Sequence, residues 1–112
     1  MSSPDDRLAV IEQNYKSALD NEPHDLAQAT TAADVTAIQA NVFVARQTYY
    51  AAIAAQLTQN GGAVEAAYNA ASAANDAVTA ARSQAAAIPT LLARLTAATS
   101  AATSLLNAAK NV

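Results

Sequence analysis

The residues best equipped for chemistry in this 112-residue chain sit in one tetrapeptide, Glu22-Pro23-His24-Asp25, which holds the sole histidine. Carboxylate oxygens and an imidazole nitrogen are ligands for a divalent cation, and a histidine beside a carboxylate is the raw material of general base catalysis. The spacing argues against both. The segment is one loop with no second histidine, it lacks the Glu-x-x-His interval of di-metal helical bundles, and one histidine alone makes no triad. The expectation is a helix-ending turn in which Asp25 caps the helix that follows. Asn60-Gly61-Gly62 is likewise a turn, because a phosphate cradle needs a preceding strand and a following Lys-Ser/Thr. With no cysteine there is no thiolate ligand, thiol nucleophile or disulfide. The sequence therefore assigns no catalytic, cofactor-binding or metal residue, and the chain reads as non-enzymatic.

The elements that would position any site are helices. Alanine fills 33 positions and has the highest intrinsic helix propensity, while two glycines and three prolines leave few turns. Ser3, Pro4, Asp5 and Asp6 form a helix start, and Leu8, Ile11, Tyr15 and Ala18 line one face of a helix over residues 4–20, stopped ahead of Pro23. A less regular segment follows. Thr31 to Asp34 has capping-box spacing, so a second helix is expected over residues 31–59, with a seam through Val35, Ile38, Val42, Ala45, Tyr49, Ala52 and Gln56. The two glycines would end it. Residues 63–88 carry a seam of Val64, Ala67, Ala71, Ala74, Val78, Ala81, Ala85 and Ile88. Beside it runs a second stripe of Ala66, Ala70, Ala73, Ala77 and Ala80, which places this helix between two neighbours. Small residues along a seam let helices approach closely.

Pro89 breaks the pattern, and Leu91, Leu95, Ala98, Ala102, Leu105 and Ala109 resume it over residues 90–110. A helix unbroken from Ala63 to Lys110 would be roughly 70 Å long, far beyond its partners, so a turn at Ile88–Thr90 is preferred to a kinked, dimerising hairpin. The expected fold is all-α: a single small antiparallel bundle of one short N-terminal helix and three long ones.

Charge narrows the partners. Of fifteen charged residues eight precede Leu26, and only six lie from Val35 onward. A net charge of −3 with scattered basic residues gives nucleic acid no footprint, whereas weakly charged faces favour self-association, including a homodimer. No run approaches the roughly 20 apolar residues of a membrane span. No signal peptide is visible, which fits the cytoplasm, or secretion had a leader been removed. Threonine at Thr79 and Thr90 has the 11-residue interval of ice-binding helices, but position 101 is Ala and the repeat fails.

One stripe stands out: Phe43, Arg46, Tyr50, Ile53 and Leu57, on a face adjacent to the second helix's seam. It is expected to receive the first helix, whose Leu8, Ile11 and Tyr15 need a partner. Should it stay uncovered, its aromatic and Arg residues would anchor a protein partner. In general composition the chain also resembles granule-coating phasins, which implies an amphipathic coat opening onto a lipid or polymer surface. Interfacial helices usually carry Lys and Arg on the polar face, however, and this chain has few.

Overall fold

The computed structural model describes residues 1–111, which form five helices and no strand: α1 (Pro4–Asp20), α2 (Glu22–Gln28), α3 (Ala32–Ala55), α4 (Gly62–Ser83) and α5 (Ile88–Ala109). Local chemistry sets the starts. Ser3 Oγ accepts from the Asp6 backbone N–H while an Asp6 carboxylate oxygen accepts from the Ser3 N–H, a complete capping box on α1. On α3 the box is half made, since Thr31 Oγ1 accepts from the Asp34 N–H but Asp34 reaches Thr30 instead of Thr31.

The expected four helices become five because α2 fits between Asn21 and Ala29, with Pro23 in its first turn, where no N–H is missed. Asp25 is not its cap. Asn21 holds the N-cap position, and Asp25 lies inside α2, buried against Arg82, whose Nη2 donates to Asp25 Oδ2 at 2.8 Å.

Two helix ends also fall earlier than expected, α3 ahead of its glycines and α4 ahead of Pro89. Gln56 takes the left-handed conformation (φ 54°) that ends α3 at Ala55, and Gly61 (φ 134°) instead opens α4. Ala85 (φ 51°) ends α4 at Ser83, with the Ala86 N–H donating to Ala81 O at 2.9 Å across the turn. The chain thus reverses at Gln84–Ala87, just ahead of the expected place, and Pro89 sits in the first turn of α5. It is a turn, and neither helix is kinked by the proline.

The four long helices pack in cyclic order α1, α3, α5, α4, with α1 and α5 also touching across the short diagonal. Sequential long helices run antiparallel. Because α3 and α4 sit on opposite corners, however, α3 lies parallel to α5, with Asn111 N–H donating to Ala55 O and Gln59 N–H to Ala109 O at one shared end. The body measures 42 × 24 × 18 Å, with a radius of gyration of 13.9 Å.

Alanine seams build this shape. Leu91, Leu95, Ala98, Ala102, Leu105 and Ala109 of α5 are all buried, facing Val64, Ala71, Val78 and Ala81 of α4. The helix α4 does lie between two neighbours, α5 and α1, but its second alanine stripe stays mostly outside: Ala66, Ala70, Ala73 and Ala80 are exposed and Ala77 is half-buried. Between the apolar clusters runs a polar layer in which Thr99 Oγ1 donates to Asn41 Oδ1 at 2.7 Å, Asn14 Nδ2 reaches Thr99 Oγ1 at 3.3 Å, and Asn75 Nδ2 donates to Val10 O at 3.0 Å.

Candidate interaction surface

The helix α1 docks on α3 mainly through the seam and meets the expected stripe only in part, at Arg46, Tyr50 and Leu57. Tyr15 and Ala18 pack against Val42, Ala45 and Tyr49, the seam residues, and this leaves Phe43, Tyr50 and Ile53 of the adjacent stripe largely uncovered. Phe43 is 54% exposed, Tyr50 57% and Ile53 50%, a large uncovered fraction for side chains of this size. Sequential spacing of 3, 4 and 3 keeps Phe43, Arg46, Tyr50 and Ile53 on one side of an intact helix. Leu57 does not join them. Since α3 ends at Ala55, Leu57 turns inward and is only 2% exposed, part of the core with Val10, Ile11 and Ala52. Val44, also exposed, lies on a neighbouring face of α3 and was not singled out by the sequence reading.

The middle of the stripe, Arg46 and Tyr50, is backed by two aromatic rings. Tyr15 and Tyr49 stack at 5.7 Å between centroids, and Tyr50 closes the group at 6.3 Å from Tyr15 and 5.8 Å from Tyr49. Edge and offset contacts of this kind add to burial. The Tyr49 hydroxyl donates to a Glu12 carboxylate oxygen, which holds its phenol above the usual tyrosine range. Arg46 Nε donates to the Tyr15 hydroxyl at 3.2 Å, its guanidinium 5.8 Å from that ring's centroid, and the Tyr15 bond is the main reason its pKa is raised. Among the described residues no carboxylate pairs with Arg46, the Arg and Lys ion pairs being Arg7–Glu65, Lys16–Glu12 and Arg82–Asp25. The surface is therefore apolar, aromatic and singly positive, with its cation held in place.

Other concave regions are chemically plainer. A cleft of about 440 Å³ at the α4–α5 turn is lined by His24, Gln28 and Arg82 over Ala81, Ile88 and Leu91. The Arg82 guanidinium there is committed to Asp25 and to Ser17 Oγ at 2.7 Å. His24 Nδ1 lies 3.5 Å from Asp25 Oδ1, and no third ligand joins them: among the described residues there is no group of three or more His, Asp or Glu able to hold a metal ion. A groove of about 460 Å³ between α3 and α5 has Ala37, Ala40, Val44, Ser100 and Thr103 in its walls. Among the described residues no helix is long and apolar enough to cross a membrane.

What sequence reasoning missed were the interior charges, Arg7 and Asp25, each placed next to apolar positions without a pattern that marks it. Comparisons with protein-family models, curated proteins and solved structures find no match to this chain.

Proposed function

We propose that the protein is a non-enzymatic helical module that acts through protein contacts made by the outer face of α3. The observation that carries this reading is the half-exposure of Phe43, Tyr50 and Ile53 on one side of a well-packed helix. Large apolar groups clustered on a monomer's surface mark interaction sites, and aromatic and Arg side chains are the usual anchors. The packing of Tyr50 on Tyr15 and Tyr49 lowers the entropy that this anchor loses on binding. Protein contact is preferred to a coat spread on lipid or polymer. Opening the bundle would bring Arg7, Asp25, Asn14 and Asn41, all buried polar groups, against an apolar phase.

The test is a photoreactive phenylalanine analogue placed at Tyr50, compared with the same group at Asp76 on the exposed side of α4, in cells expressing the chain. Irradiation is expected to give protein adducts from position 50 and none from 76. Equal labelling from both positions, or none from position 50, would overturn the reading.

A further inference from the structure

The spacing of the exposed stripe is the same read from either end: Phe43, Arg46, Tyr50 and Ile53 are separated by 3, 4 and 3 residues. We infer that the partner of this face is a second copy of the chain, laid antiparallel across α3 about a two-fold axis at the level of Thr48. The inference rests on the reading of the α3 face as a protein-contact surface. In that register Phe43 meets the partner's Ile53 and Ile53 meets the partner's Phe43, so apolar groups cover one another at both ends. At the centre Arg46 meets the partner's Tyr50, and the symmetry makes the same contact twice. A guanidinium over a tyrosine ring is an attractive pairing, and here the cation, half-buried and held at its Nε by Tyr15 of its own chain, has no carboxylate to leave.

Neighbouring arrangements lose these matches. A parallel pair in register sets Arg46 against the partner's Arg46. So does an antiparallel slide of one helical turn in one direction, while a slide in the other pairs Tyr50 with itself and parts Phe43 from Ile53. Self-complementarity of one patch is what an isologous dimer requires. Little else on the helix opposes it, since Asp34 and Arg46 are its only charged residues. The contact spans ten residues, about 15 Å of helix. Four anchoring side chains a side are far fewer than the roughly 20 to 30 residues of a standard specific interface, so the dimer is weak and concentration-dependent.

Light scattering across a concentration series from about 10 μM to about 1 mM tests this. The mass is expected to rise from 11.4 kDa toward twice that value. Ile53→Glu should hold the chain monomeric, Arg46→Glu should weaken association about tenfold or more, and Arg46→Lys should retain most of it. The absence of cysteine allows a register test. A mixture of Phe43→Cys and Ile53→Cys chains should form the mixed disulfide, whereas Phe43→Cys alone, with its sulfurs about 15 Å apart along the axis, should not. A monomer throughout, a dimer indifferent to Ile53→Glu, or efficient Phe43→Cys self-linking would each overturn the inference. Photo-adducts from position 50 to other proteins, with the purified chain monomeric, would sink the second copy and leave the contact surface standing. Absence of any position-50 adduct would sink both.

Discussion

Arg7 is fully buried and stays tolerable because nearly every donor is used. Its guanidinium donates to Ser2 Oγ and Ser2 O, to Leu57 O, Gln59 O and Asn60 Oδ1, and at 3.3 Å to Glu65 Oε2. It thereby ties the N-terminal arm, the α3–α4 loop and the start of α4 into one knot. Glu65 in turn accepts from the Ser2 N–H at 2.7 Å and from Ser2 Oγ at 2.8 Å. These bonds to Ser2, then the one from Arg7, hold its carboxyl below the ordinary value of 4.5. A depressed carboxyl contributes stability that is full above the unfolded value and disappears as pH falls through the folded one. Melting temperature should therefore drop as pH falls below 4.5, and Glu65→Gln should reduce that drop while lowering the melting temperature at pH 7. An unchanged acid slope in the variant would refute the assignment. The polar layer gives a second residue-scale expectation. Thr99→Val strips the donor from Asn41 Oδ1 and the acceptor from Asn14, and should cost about 1 to 3 kcal/mol in urea unfolding. Replacing Asn14 and Asn41 by Leu as well should recover much of that loss, because it is the abandoned amides that are expensive. None of this could be read in the sequence, where Arg7 and Asn14 fall beside apolar positions and, Ser2 apart, their partners are 50 to 85 residues away.

At the scale of elements, the seams were legible and the ends were not. Every seam residue assigned to α5 from Leu91 to Ala109 is buried, because a 3-4 apolar spacing has no other stable use in a helix this long. The ends misled because left-handed caps are normally written as glycine, and here they are Gln56 and Ala85. The two real glycines serve the start of α4, so α3 appeared to run on toward Asn60. The outer stripe was legible as residue types, but not as a surface. Which α3 face α1 would choose depends on Tyr15 fitting against Val42, Ala45 and Tyr49, a matter of three-dimensional fit. The strain at Ala85 is testable. An L-residue in the left-handed region costs roughly 1 to 2 kcal/mol, and the Ala85 side chain is exposed, so its loss removes little packing. Ala85→Gly should stabilise by about 1 kcal/mol and Ala85→Val should destabilise by at least as much, both measured by thermal unfolding. If the glycine variant is less stable, the unfolded-state entropy of glycine outweighs the relieved strain.

Across the whole molecule, stability is unevenly placed. The largest cluster joins Ile11, Leu57, Leu105 and Ala109 at the end where Arg7 gathers its acceptors. At the opposite end Val78, Ala81, Leu91 and Leu95 form a smaller cluster, and α2 lies near it with Asp25 as its only fully buried residue. An element with so little buried apolar surface opens at a free energy below that of global unfolding. Its anchor is ionic, since Asp25 Oδ2 accepts from Arg82 while Asp25 Oδ1 has no hydrogen-bond partner. Native-state hydrogen exchange should show the α2 amides exchanging by local opening, well before those of α1, α3 and α5 around Leu105. Asp25→Asn keeps the shape and removes the charge, so it should speed exchange in α2 strongly while leaving the slowest α5 amides nearly unchanged. Equal protection in α2 and α5 would mean the ionic anchor couples both ends into one cooperative unit. The stripe of Phe43, Tyr50 and Ile53 belongs to the firmer part, because the α3 seam that backs it is buried at Ile38, Val42, Ala45 and Ala52. Melting α2 should then leave the proposed self-association unchanged, which would separate the proposed docking on α3 from the looseness of the far end.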